Sequence, residues 1–138
     1  MEVVPMKAFI VDLENRPGEL ARVAEAIAKK GINITSGSGT GYGDRGAFGF
    51  LTNDEAGTRS ALQEGNFRFR EVEVVPASLE DKPGTLADAC RRLANAGVNI
   101  ELLVPTGMGG GKVTLAIGVD RVDAARTALG ELTAAATA

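Results

Sequence analysis

The residues best suited to chemistry form one short polar segment near the N-terminus, Glu14-Asn15-Arg16-Pro17-Gly18. An asparagine amide both donates and accepts hydrogen bonds, and an arginine beside it can pair with a carboxylate. Gly18 has no side chain to keep a ligand away, and the unpaired amide groups at the start of a helix attract anions. The segment therefore suits a small molecule that carries both an ammonium group and a carboxylate.

The same segment occurs again 66 residues later, as Glu80-Asp81-Lys82-Pro83-Gly84. Residues 12–54 align with residues 78–120 without a gap, which indicates two copies of one small folding unit. Asp81 replaces the asparagine of the first copy, and an aspartate repels a carboxylate but attracts an ammonium group. The second copy is accordingly expected to bind in another orientation, to bind another ligand or not to bind.

Another asparagine is also repeated, in Gly31-Ile32-Asn33-Ile34 and again in Gly97-Val98-Asn99-Ile100. Each of these asparagines begins the predicted second strand of its unit, where it could face the same crevice as the polar segment. The alternative is that they satisfy backbone groups after the end of a helix.

The first unit is predicted to follow the order strand-helix-strand-strand-helix-strand, which is the ferredoxin-like plan. Pro17 is expected at the first helical position, and Gly31 is expected to end that helix. Its apolar stripe begins at Leu20. The glycines before Gly46 predict a hairpin turn, and Asp54 is expected to cap the second helix. The predicted strands are 6–13, 32–38, 46–52 and 67 onward, and the predicted helices are 17–31 and 54–64.

The second unit repeats this order, with strands at 100–104 and 113–119 and a second helix at 122–129. Its last strand is expected to be missing or degraded, because an alanine-threonine tail follows that helix. Pro76 would then lie on an edge strand, where proline is tolerated. The predicted fold class is α+β, with two ferredoxin-like βαββαβ units packed together. The first unit is predicted to span 1–71 and the second 72–138.

The composition argues against several classes of protein. The chain has no histidine, one cysteine and a net charge of −3. Without histidine it lacks the commonest general base and metal ligand, so we expect no enzyme activity, no metal and no cofactor. The negative charge gives no reason to bind nucleic acid, and no apolar run is long enough to cross a membrane. The single cysteine and the absence of a signal peptide favour the cytoplasm.

The pattern Asn-Arg-Pro-Gly-x-Leu, followed by a helix and Gly-Ile-Asn-Ile, resembles the ACT domain family. This resemblance implies ferredoxin-like modules that bind amino acids and regulate metabolic enzymes. In serine-sensing members, the loop asparagine and the asparagine of the second strand hold the ligand. The resemblance therefore implies a free amino acid as ligand, held in the first unit by Asn15, Arg16, Gly18, Leu20 and Asn33.

The positions that correspond in the second unit are Asp81, Lys82, Gly84, Leu86 and Asn99. Leu102-Leu103-Val104 forms an apolar strand at a predicted sheet edge, and such an edge needs a cover. ACT domains often associate through these edges, so the resemblance also implies a homodimer.

Two other functions remain open at this point. The chain is also similar to regulatory subunits of acetolactate synthase, whose ACT domain carries a comparable motif, so a metabolic enzyme could be its partner. The other alternative is a structural pair of units that binds nothing.

Overall fold

The computed structural model describes residues 6–134, which divide into two compact units. One unit comprises residues 8–71, and the other comprises Val72 onward together with Met6 and Lys7. In each unit, a cluster of buried apolar side chains lies between the helices and one face of an antiparallel sheet.

The first unit has the predicted element order, and its hydrogen-bonded strands are arranged β2-β3-β1-β4. Alternation of side chains along β1 places Phe9, Val11 and Leu13 on the helix side. Val23 and Ile27, one helical turn apart, complete this core from α1. The elements are β1 Met6–Glu14, α1 Glu19–Lys29, β2 Ile34–Tyr42, β3 Arg45–Thr52, α2 Glu55–Glu64 and β4 Arg68–Glu80.

The second unit uses the continuation of β4 as its first strand, and its strands are arranged β4-β6-β5. Ala77, Leu79 and Ile117 form the sheet side of its core, while Ala89 and Leu93 contribute from the first helix. The remaining elements are α3 Thr85–Asn95, β5 Ile100–Gly109, β6 Lys112–Val119, α4 Val122–Leu129 and a 3₁₀ turn at Gly130–Leu132.

The final strand of the second unit is reduced to one bridge within the described residues. Thr133 bridges to Ala77 in antiparallel fashion, and the Ala134 N–H donates to the Pro76 carbonyl at 2.9 Å. Pro76 pairs with Ala116 of β6 in the β4–β6 ladder. Pro76 has no N–H to donate, and it contributes only its carbonyl, as acceptor, to the short pairing with residues 133–134.

The structure corrects two local predictions in the first unit. Strand β2 runs through the glycines to Tyr42, and the turn is limited to Gly43 and Asp44, so the predicted strand end at residue 38 is wrong. Pro17 lies in a turn before α1 instead of at its first position, because α1 begins at Glu19 with Gly18 as its N-cap.

The structure also corrects the gapless alignment of the two repeats. Leu13 pairs with Gly46 in the first unit, whereas the equivalent Leu79 pairs with Val113, which is one residue further along than the alignment expects. A register shift in β5 between Pro105 and Gly107 accommodates the extra residue. After this bulge, the offset between equivalent residues is 67 instead of 66.

This correction changes which residue begins each second helix. Asp54 is the N-cap of α2, as predicted, and its carboxylate accepts a hydrogen bond from the Gly57 N–H at 2.9 Å. Its structural equivalent is Arg121, which gives α4 no side-chain cap. Asp120 instead takes the position of Asn53. The Asp120 side chain accepts a hydrogen bond from the Asn99 N–H, and the Asn53 side chain accepts one from the Asn33 N–H.

We therefore predict unequal effects of alanine at the two helix starts. Asp54→Ala should lower the free energy of unfolding by about 0.5–2 kcal/mol, because the cap bond to Gly57 is lost. Arg121→Ala is the matched control and should change it by less than about 0.5 kcal/mol, as is usual for an exposed site. Urea unfolding measures both, and equal losses would contradict the offset of 67.

Candidate functional site

The polar loop after β1 is built around a glycine in the left-handed conformation. Gly18 has φ +89°, and Gly84, its counterpart after β4, has φ +94°. No protein atom lies within 4 Å of where a Cβ would stand on either glycine. Glycine is therefore required here by the backbone angle, which disfavours any other residue, and not by close approach of another protein group.

A groove of about 350 Å³ lies between this loop and strand β2; we call it the first-unit groove. It contains three of the predicted site residues, Asn15, Arg16 and Leu20, and Leu20 is 47% exposed instead of belonging to the core. Gly18 shapes the loop without lining the groove. The other lining residues are Leu13, Glu14, Glu19, Gly39, Thr40, Gly41, Gly46, Ala47 and Phe48.

Two alternate glycines of β2, Gly39 and Gly41, leave the floor of the groove without side chains. Gly37, Gly39 and Gly41 pair with Phe50, Phe48 and Gly46, and directly paired residues share one face of a sheet. A Cβ on Gly37 would lie 2.8 Å from the Phe48 ring, so that glycine lets the ring lie against the strand. A Cβ on Gly39 would only reach ordinary contact, 3.7 Å from Phe48.

Asn15 is fixed by two hydrogen bonds to the tip of the β2–β3 hairpin. Its backbone N–H donates to the Asp44 carbonyl at 2.9 Å, and its side-chain Nδ2 donates to the Gly43 carbonyl at 3.0 Å. We call this pair of bonds the Asn15 clasp. The Oδ1 oxygen carries no proton and is the acceptor that Asn15 can offer to a ligand.

Arginine and glutamate side chains surround the start of α1. The guanidinium of Arg16 lies 3.0 Å from a Glu14 oxygen and 3.9 Å from a Glu19 oxygen, and its side chain is 64% exposed. Glu19 is largely buried and also pairs with Arg22 at 3.3 Å. A ligand carboxylate at Arg16 would therefore compete with two resident carboxylates, and a ligand ammonium would find Glu14 beside it.

Asn33 lies far from Asn15 within the first unit. Its N–H is bound by Asn53 at the start of β2, whereas Asn15 is bound beyond the end of β2. At about 3.3 Å per residue, the nine residues of β2 separate these two positions by about 26 Å. One small molecule cannot contact Asn15 and Asn33 of the same unit.

The second unit keeps the backbone bonds of the loop but not its side-chain contacts. The Asp81 N–H donates to the Gly111 carbonyl at 2.9 Å, as in the first unit, whereas the Asp81 side chain is exposed. The Thr85 hydroxyl donates to the Glu80 carbonyl at 2.7 Å and so ties the start of α3 back to the loop. Thr85 stands where the first unit has Glu19.

A cavity of about 470 Å³ lies beside the second loop, on the side of the 3₁₀ turn. Lys82 and Gly84 line it, whereas Asp81, Leu86 and Asn99 do not. Lys82 bonds Glu80 at 2.9 Å, and this bond and charge lower the pKa of the Glu80 carboxyl and raise the pKa of Lys82. The predicted residues of the second copy are therefore not gathered around one space.

Sequence reasoning missed the floor of the groove and the buried acid beside it. The alternation of glycine at 37, 39 and 41 has the period of a strand, and this signal could have identified a bare strand face. Glu19 was not predicted because nothing in the sequence distinguishes it from an exposed residue of the first helical turn.

Among residues 6–134, no three histidine, cysteine, aspartate or glutamate side chains are grouped as metal ligands. No helix in the same range is long and apolar enough to cross a membrane.

Comparison with known proteins now adds a family to this geometry. Residues 8–64 match the family model described as "ACT domain". These residues contain the polar loop, the clasp and the whole of the first-unit groove. The first unit therefore resembles an ACT domain, and the match does not extend into the second unit.

Solved structures resemble the chain over nearly its whole length. Protein BT0572 from Bacteroides thetaiotaomicron is 27% identical with a TM-score of 0.75, covering 92% of this chain and 88% of that one. The regulatory subunit of aspartate kinase from Thermus thermophilus is 19% identical with a TM-score of 0.62, covering 95% and 93%. Its counterpart from Thermus flavus is 19% identical with a TM-score of 0.64, covering 95% and 94%. A search of curated proteins finds no match.

We predict that Gly18→Ala destabilises the first unit through its backbone alone. A residue with a Cβ at φ +89° costs about 1–2 kcal/mol, and no neighbouring atom would be displaced. The free energy of unfolding in urea measures this loss. Gly107→Ala is the control, since its Cβ would also meet open space and its φ is not left-handed; an equal loss there would contradict the explanation.

Proposed function

We propose that the chain is a regulatory sensor that binds a free amino acid in the first-unit groove and has no catalytic activity of its own. The observation that carries the proposal is the groove itself. Its volume of about 350 Å³ suits a small molecule, and it combines a fixed asparagine amide, one arginine, two carboxylates and a floor free of side chains.

The charged groups suggest how such a ligand lies. Its ammonium group would be held by the Asn15 Oδ1 and the Glu14 carboxylate, both of which accept hydrogen bonds. Its carboxylate would lie toward Arg16 and the start of α1, which has no side-chain cap and whose dipole favours negative charge. Its side chain would pack on Leu20 and Phe48 over the glycines of β2.

The distance between Asn15 and Asn33 bears on how the chain assembles. If Asn15 and Asn33 hold one ligand, the two residues belong to different copies of the chain. Strand β2 is an edge strand, and pairing it with β2 of a second chain in antiparallel fashion would bring the start of one strand to the end of the other. This arrangement supports a homodimer, and a monomer in light scattering at micromolar concentration would contradict it.

We predict that one or a few related amino acids raise the melting temperature of the chain when the standard amino acids are screened at millimolar concentration. A ligand at about a hundred times its dissociation constant adds about 2.7 kcal/mol if it binds only the folded state. Asn15→Ala should reduce this shift strongly, because the Oδ1 acceptor and the clasp are lost together. A full shift in Asn15→Ala would exclude the groove as the binding site.

A second prediction tests the floor of the groove. Gly39→Ala adds one methyl group that meets Phe48 at an ordinary distance, so the free energy of unfolding should not fall and should rise by up to about 1 kcal/mol, because alanine loses less conformational freedom than glycine in a strand. The methyl group occupies ligand space, and affinity should fall about tenfold, which corresponds to 1.4 kcal/mol. Gly107→Ala, in the second unit, should leave affinity unchanged. Unaltered binding in Gly39→Ala would place the ligand elsewhere.

A second candidate function is that of a regulatory subunit for a separate metabolic enzyme. The observation that favours it is the similarity, over nearly the full length of both chains, to structures named as regulatory subunits of aspartate kinase. An enzyme of the acetolactate synthase type is the other partner class that the loop motif suggests. Co-purification of the chain with a catalytic subunit would support this function, and the thermal screen distinguishes a sensor subunit from one that binds no amino acid.

A further inference from the structure

The Asn15 side chain occupies the space beside Gly41 of β2 where another residue would have its own side chain. A Cβ on Gly41 would lie 2.6 Å from Asn15 Nδ2 and 2.9 Å from both Cγ and Oδ1 of Asn15. These distances are too short for real carbon contacts, so the amide and a side chain at position 41 exclude each other. Gly41 is therefore a condition for the bond from Asn15 Nδ2 to the Gly43 carbonyl.

The second unit lacks both halves of this arrangement. Asp81 keeps the backbone bond to the hairpin, but a carboxylate has no hydrogen to donate to a carbonyl. Gly41 pairs with Gly46, whereas Met108 pairs with Val113, the residue that corresponds to Gly46 in the offset of 67. Met108 thus takes the position of Gly41.

The rest of the floor has changed in the same way. Pro105 pairs with Leu115 where Gly39 pairs with Phe48 in the first unit. Side chains therefore stand on the second-unit strand at both positions that correspond to the groove-lining glycines, Gly39 and Gly41. A small molecule that lies on bare backbone in the first unit would meet a proline and a methionine in the second.

We infer that the Asn15 clasp over Gly41 restricts ligand binding to the first unit, so that each chain binds one amino acid although it contains two copies of the loop. In this inference Asn15 is a positioning residue as well as a ligand contact, since its Nδ2 fixes the loop to the hairpin and its Oδ1 faces the ligand. The inference rests on the proposed function and adds the stoichiometry and the reason for it.

The experiment is a calorimetric titration with the standard amino acid that gives the largest thermal shift on the unmodified chain. The unmodified chain should bind one molecule per chain. Asn15→Asp and Gly41→Ala should each weaken affinity at least about tenfold. Combining the two substitutions should weaken it no further than either alone, because both break the same bond. The controls in the second unit are Asp81→Asn, at the counterpart of Asn15, and Gly107→Ala, which makes the same glycine-to-alanine change in β5; both should leave affinity and stoichiometry unchanged.

The outcomes separate the inference from the proposed function. Two molecules per chain, unaltered affinity in Asn15→Asp, or fully additive losses in the double variant would overturn the inference while leaving an amino acid sensor. Circular dichroism of each variant before titration shows whether it is folded, so that a loss of affinity is not a loss of structure. Absence of a thermal shift with every standard amino acid would overturn the proposed function and the inference together.

Discussion

The first-unit groove depends on the register in which β1 pairs with β3. Side chains alternate along a strand, so a slip of one residue would turn Phe9, Val11 and Leu13 away from the helices and destroy the core. The register that buries them also sets Leu13 opposite Gly46. That pairing fixes the hairpin tip beside the loop, where its carbonyls meet Asn15. The groove is thus a consequence of how the core is buried, and the loop alone does not define it.

The sequence predicted those parts of the fold that follow from local physical chemistry. The helix spacing, the glycine that ends α1 and the cap at Asp54 all act within one or two turns of the chain, and all were predicted correctly. Leu20 fits the helical stripe, but it is exposed because it lines the groove over the glycines of β2 instead of packing against side chains. Periodicity predicts a shared helix face and cannot tell whether the facing strand carries side chains.

The gapless alignment failed for a different reason. In that alignment Gly41 matches Gly107 and Gly43 matches Gly109, identities that come easily in a glycine-rich segment. Strand pairing instead matches Gly41 with Met108, because a bulge in β5 absorbs one residue. Asn15 and Gly41 are 26 positions apart in sequence, so only the pairing of the strands could reveal that one fills the space of the other.

The bare face of β2 also has a thermodynamic consequence. Each glycine inside a strand costs about 0.5–1 kcal/mol relative to alanine, because the unfolded chain gains conformational freedom and the folded one loses a side chain to pack. Gly37, Gly39 and Gly41 together therefore make this edge strand less stable than one that carries side chains at these positions. A molecule resting on those glycines would close the strand where it is weakest. Its binding would then be transmitted as a change in how often the edge opens, with no need for a new arrangement of the backbone.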